Sequence, residues 1–172
     1  MIRVVVGSLT DQAVEGVIRP VQSDFSPVSH ASRDLGIAAG EMIEDKLRRV
    51  GSLPIGGAVM TPAGELPCDF LIHVVVSAAD EPQTAATVRK AVGNALRRAS
   101  DMGLSSLALP PIGIGVGMTE PEDAARGLCE LLFDHLDEGE TRDMILMVSS
   151  PYEEEMFARI VEKLSGERES AE

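Results

Sequence analysis

Basic residues are scarce in this chain. Its 172 residues carry 15 Lys and Arg against 28 Asp and Glu, a formal charge of −13 at pH 7. Nucleic-acid binding draws on counterion release from a basic face, and an anionic membrane surface attracts basic segments, so neither partner is expected. Cysteine is nearly absent as well. Cys68 and Cys129 stand far apart in apolar surroundings, which excludes a disulfide framework and a Cys-based zinc site. The three histidines, His30, His73 and His135, show no ligand spacing, so no metal is expected. No apolar run reaches the roughly 18 residues of a membrane span. The opening Met1–Gly7 segment is too short for a secretory apolar region and reads as a strand. What remains is the ordinary composition of a folded domain, 44% hydrophobic and 25% charged. The expectation is one cytoplasmic domain over residues 1–164 with a polar, frayed tail at 165–172.

Short β-branched runs alternate with segments of helical period. Ile2 to Val6 and Val14 to Ile18 read as strands, the second stopped by Arg19-Pro20 because proline cannot donate to a ladder. From about Ala31 to Arg49 the apolar residues Leu35, Ala39, Met42, Ile43 and Leu47 recur at spacings of three and four, which predicts one amphipathic helix ended by Gly51. Gly56 to Thr61 is a short strand, and Phe70 to Val76 has the unbroken apolar pattern of a strand buried on both faces. A helix from Ala85, a strand from Leu104 to Leu109, a helix started by Thr119 with Glu122 completing a capping box, a strand from Met144 to Val148 and a helix from Pro151 follow. This alternation implies an α/β sheet covered by helices on both faces, with at least part of it parallel. Ligands of such sheets bind beyond the carboxyl ends of the strands, so the loops after Val6, Ile18, Leu109 and Val148 are the ones to watch.

The loop from Pro110 to Met118 carries glycines at 113, 115 and 117 between a buried strand and a helix. Glycine permits positive φ and close approach of a ligand to the backbone amides, and amides so arranged form a phosphate cradle. It is neither a Walker loop, having no Gly-Lys-Ser/Thr, nor the dinucleotide fingerprint, since Met118 stands where the third glycine is required. A tight turn that binds nothing is the alternative.

In their order along the chain, four segments resemble those of macro domains, the ADP-ribose-binding modules. Gly7-Ser8-Leu9-Thr10 is similar to the family's Gly-Asp-Ile-Thr, and Val14-Glu15-Gly16-Val17-Ile18 to its Val-Asp-Ala-Ile-Val. Pro54 to Pro62, with Leu66-Pro67 and Leu71-Ile72-His73-Val74, resembles Pro-x-Gly-x-Ala-x-x-Thr followed by Leu-Pro and Val-Ile-His. Ser106 to Val116 resembles the family's phosphate loop, and Ala124-Ala125-Arg126 the helix after it. The resemblance implies a three-layer α/β/α fold with a mixed central sheet. It also implies a site for ADP-ribose or a related nucleotide diphosphate, reached as a free ligand or on an ADP-ribosylated substrate, with no cofactor.

The site residues it implies are Ser8 and Leu9 after the first strand, then Arg19, Val21 and Gln22 after the second. Val28 and Ser29 represent the first loop, Pro111, Ile112, Gly113, Ile114, Gly115, Val116, Gly117 and Met118 the phosphate loop, and Tyr152 the edge near the adenine. Several positions depart from the family pattern. Its Asn-Ala-Ala-Asn falls on Arg19-Pro20-Val21-Gln22, its glycine-rich first loop on Pro27-Val28-Ser29-His30, and the acid of its hydrolytic members on Ser32. Ser8 replaces an acid that reads adenine, and Gly117 stands where many relatives carry an aromatic. Gln22 could still fix a ribose hydroxyl, and Arg19 could pair with a pyrophosphate. Binding of ADP-ribose is the leading reading, with hydrolysis of an ADP-ribosyl bond and a ligand-free interaction scaffold as alternatives. No catalytic residue is assigned; His30, Asp24, Asp34 and Arg19 are the groups near enough to substitute. His73 reads as a hydrogen-bonded core histidine, His135 as solvated and Cys129 as buried packing.

Overall fold

A computed structural model describes residues 1–171 apart from Val116 and Met118. Six strands form one sheet: β1 (Ile2–Val6), β2 (Gly16–Gln22), β3 (Ala58–Pro62), β4 (Phe70–Ser77), β5 (Ser106–Leu109) and β6 (Asp143–Val148). Their order across the sheet is β1-β6-β5-β2-β4-β3. All neighbours are parallel except β3 and β4, so the sheet is mixed. The helices are α1 (His30–Ala39), α2 (Glu41–Val50), α3 (Ala85–Asp101), α4 (Pro121–Glu138) and α5 (Pro151–Glu169), with a single 3-10 turn at Leu9–Asp11.

Alternation along each strand sorts the core into two layers. In β4, Ile72, Val74 and Val76 pack with α3, α4 and α5, while Leu71 and Val75 pack with α1 and α2. This is why the Phe70–Val76 run shows no polar face. The result is an α/β/α sandwich, with Leu35 and Leu132 fully enclosed on opposite sides.

Four local expectations change. Pro20 does not stop β2, which runs on to Gln22. The N–H of Gln22 turns away from β4 to Ser26 O, while that of Ser23 meets Ser77 O on the β4 side. Pro20 shares the parity of Gln22, and β5 pairs with β2 only at Gly16 and Val17, so the missing donor faces a side without a ladder. Gly40, at φ +96°, divides the expected single helix into α1 and α2. Thr119 does not cap α4; Pro121 occupies its first turn, and its fixed φ sets the start there. The polar stretch from Ser165 continues α5 to Glu169 instead of fraying, because Arg168 ties it to Asp134 and Asp137 and lies over the Phe133 ring.

His135 is a further correction, being 9% exposed rather than solvated. Its Nε2 donates to Thr141 Oγ1 at 2.8 Å, and that hydroxyl donates to Leu104 O at 2.8 Å. The end of α4 is thereby latched to the segment entering β5. Burial lowers the pKa of His135. Cys129 is enclosed as expected, and burial pushes its thiol up to about 12, which removes it from thiolate chemistry. Among the described residues, no helix is long and apolar enough to cross a membrane.

Candidate functional site: a cleft beyond the carboxyl ends of β1, β5 and β6

A cleft of about 470 Å³ opens where β1, β5 and β6 end. Gly7 to Thr10 form one wall, Ser29, His30, Ala31 and Asp34 a second, and Pro110, Pro111 and Ile114 a third; Met147 to Ser149 and Glu153 close it. Its position follows from the parallel strands β1, β6 and β5, which all deliver their following loops to one edge.

The three alternating glycines all adopt positive φ: +82° at Gly113, +76° at Gly115 and +66° at Gly117. Gly113 also lies so close to α3 that a Cβ would meet Val88 Cγ1 at 2.7 Å, whereas one at Gly115 would meet no described residue beyond its chain neighbours within 4 Å. Among the described residues, the amides of Gly113, Ile114 and Gly115 donate no hydrogen bond. Toward the described residues these donors are unspent. The start of α4 adds little attraction for an anion, since Glu120, Glu122 and Asp123 crowd it.

The first loop is organised differently. Ser29 caps α1 by accepting from Ser32 N at 3.2 Å. The Ser32 hydroxyl oxygen accepts from the amides of Val28 at 2.9 Å and Ser29 at 3.1 Å and donates to Ser29 O. The Ser32 side chain therefore consumes two amide donors of the first loop. Ser32→Ala leaves those amides without this partner, and a loss of about 1–2 kcal/mol in unfolding free energy is expected from denaturant titration.

Of the residues singled out in the sequence, Ser8, Leu9, Ser29, Pro111 and Ile114 converge on the cleft. Arg19 does not; it lines a separate cavity behind α1. Val21 and Ile112 are enclosed in the core, and Val28 packs against it. Gln22, Gly113, Gly115, Gly117 and the exposed Tyr152 do not line the cleft, and Val116 and Met118 lie outside the described residues. Thr10, Met147, Ser149 and Glu153 line it without having been assigned to the site. Ser149 is the first residue after β6, and Glu153 accepts from its amide at 3.1 Å. A capping acid three residues beyond Ser150 was the signal that could have found Glu153. Of the four groups considered for proton transfer, His30 and Asp34 face the cleft; Arg19 and Asp24 face the other cavity.

His73 is fully buried between Arg19 and Thr61. Arg19 Nη1 lies 3.3 Å from its Nδ1, and Nε2 lies 2.9 Å from Thr61 Oγ1, which donates to Pro62 O at 2.9 Å. Only the neutral ring protonated at Nε2 satisfies every partner, accepting from Arg19 and donating to Thr61. Burial first, and the neighbouring guanidinium second, bring its pKa down to about 3.

A sequence profile of the Macro domain family matches residues 21–128. The chain belongs to the macro domain family. A protein of Aeropyrum pernix described as uncharacterized is 35% identical over 129 residues, which span 73% of this chain and 67% of that one. A macro domain-containing protein of Caldanaerobacter subterraneus is 23% identical over 95% of this chain and 97% of its own. Among solved structures, a mutant of the Oceanobacillus iheyensis macrodomain with ADPR superimposes with a TM-score of 0.81 at 20% identity, covering 96% of this chain and 94% of that one. The same macrodomain with ADP gives 0.80, again at 20% identity, over 96% and 92%. At that identity the superposition establishes the macro domain fold.

Proposed function

We propose that this macro domain binds ADP-ribose in the cleft at the ends of β1, β5 and β6, with the diphosphate at the Ile114 edge of the cleft, where it takes the amides of Gly113, Ile114 and Gly115. The observation that carries this reading is the run of positive-φ glycines with unspent amides beside a cleft of about 470 Å³, within the usual size of a small-molecule site. The fold relatives solved with ADPR and with ADP support the ligand class. The half of the site built from Val28 and Ser29 contributes less, because Ser32 already occupies those amides.

Calorimetric titration with ADP-ribose, ADP and AMP tests the proposal. ADP-ribose is expected to bind with a dissociation constant of roughly 1–100 μM, and AMP, which lacks the diphosphate, at least about tenfold more weakly. No heat with any of the three rejects it.

Electrostatics make a second prediction. Asp34 and Glu153 line the cleft, and among its described residues there is no Lys or Arg. With a chain charge of −13, a diphosphate approaches against repulsion, and salt screens that repulsion. Raising ionic strength from about 0.01 to 0.15 M should therefore tighten ADP-ribose binding by a few-fold; a backbone cradle gives this sign, and a site built on basic side chains gives the reverse.

Removal of an ADP-ribosyl group is a second reading, favoured by His30 and Asp34, one helical turn apart and both on the cleft wall. Release of ADP-ribose from a modified protein, lost in both His30→Ala and Asp34→Asn, would establish it.

A further inference from the structure

Arg19 projects from β2 toward α1, on the same face as Val17 and Val21, and is only 5% exposed. Its Nε donates to Ser32 O at 2.7 Å and its Nη1 to His73 Nδ1. His73 is neutral, and Arg19 takes part in no ion pair with a described carboxylate. Nη2 donates to no described atom, yet it is not sealed off from solvent. The space it opens onto is a cavity of about 520 Å³, larger than the cleft.

This cavity lies behind α1. His30, Ala31 and Asp34 face the cleft, while Arg33, Gly36 and Ile37 face the cavity, so the helix is the wall between them. Gly36 passes directly over the guanidinium, since a Cβ there would stand 2.5 Å from Nη2. The floor is apolar: Phe25, Ile43 and Leu47. Phe25 adopts φ +67°, a costly conformation for an aromatic residue, and turns its ring inward. Two acids also line the cavity, each with a partner on its wall. Glu44 pairs with Arg48 at 3.1 Å, and Asp24 accepts from Ser26 N at 3.0 Å. Arg33 adds positive charge at the opening, while Arg48 is already paired with Glu44 and Asp45.

An enclosed guanidinium without an ion pair is costly, and Nη2 with the second N–H of Nη1 still offers donors in the forked geometry that matches an oxyanion. Desolvation lowers its pKa to about 10, and the charge of Glu44 offsets this only in part. We propose that this cavity is a second ligand site, taking a small organic anion whose carboxylate or phosphate group pairs with Arg19 and whose apolar body rests on Phe25, Ile43 and Leu47. It is independent of the ADP-ribose reading, since the two sites share no lining residue.

The test is an NMR titration of the whole chain with benzoate and, separately, phenyl phosphate, following the Arg19 Nε–H and the amides of Gly36 and Ile37. Saturable shifts at these groups are expected with at least one compound, and which one responds tells carboxylate from phosphate. Inorganic phosphate, lacking the apolar part, should bind about tenfold more weakly. Ile37→Glu places a negative charge at a rim position 71% exposed in the native chain, where folding tolerates it. It should weaken binding about tenfold or more, as should Arg19→Met, with ADP-ribose affinity in the cleft unchanged in Ile37→Glu. No saturable shift with either compound up to roughly 20 mM overturns the proposal, as does undiminished binding in Ile37→Glu.

Discussion

Gly115→Glu is expected to weaken ADP-ribose binding at least about 100-fold while leaving the fold intact. A carboxylate about 5 Å from each charge of a diphosphate, at an effective dielectric near 20, opposes it by ~3 kcal/mol per charge. That alone exceeds the ~2.7 kcal/mol of a hundredfold change. The side chain has room, since no described atom beyond its chain neighbours approaches a Cβ at this position within 4 Å. Its φ of +76° adds about 1 kcal/mol of backbone strain for any residue but glycine, so the melting temperature should fall by no more than about 4 °C. Gly115→Ala shares the strain and lacks the charge; it should stay within about tenfold of wild type. Wild-type affinity in Gly115→Glu, measured by calorimetry, would remove the loop from the site.

The second large effect concerns acid stability. His73 has its pKa depressed to about 3 in the folded protein, against 6.5 for an ordinary histidine. The unfolded chain therefore binds a proton that the folded one refuses. Stability from the neutral ring is fully present above about pH 6.5 and is lost progressively as the pH falls toward 3. Between pH 7.5 and pH 5 the loss is about 2 kcal/mol, over a range where carboxylates have barely begun to protonate. His73→Gln can still accept from Arg19 and donate to Thr61, but it does not titrate. Its unfolding free energy should accordingly decline about 2 kcal/mol less than wild type over that interval. His135, lowered in the same direction, contributes equally to both proteins. Parallel decline in the two would mean that His73 is not held neutral by burial.

The architecture was readable from periodicity because the strands fix it. A run such as Phe70–Val76 has no polar face, and the only arrangement that buries both sides is a sheet between two helical layers. The glycine loop was legible as a place where positive φ is permitted, and all three glycines adopt it. What failed depended on neighbours distant in sequence. Pro20 looks like a strand breaker until β5 is seen to end before reaching it. His135 looks solvated until Thr141 and Leu104 close over it.

The site divides along the same line. Ser8, Ser29 and Ile114 are close to strand ends or a helix start, where the crevice must lie, and they meet there. Arg19 was assigned by its place in a motif, although strand alternation already grouped it with Val17 and Val21 on the face that α1 covers. Ser32 was noted for the acid it replaces. Its service as the acceptor for two amides of the first loop emerges only when the loop is folded back over it.

In the proposed function, the amides of Gly113, Ile114 and Gly115 and the ends of β1 and β6 form one ligand site. A ¹H–¹⁵N titration with ADP-ribose reads it most directly. Saturable shifts at Gly7, Gly113, Ile114 and Gly115, with the Arg19 Nε–H unmoved, are the predicted result. Shifts confined to Arg19, Gly36 and Ile37, or none at all, would contradict it.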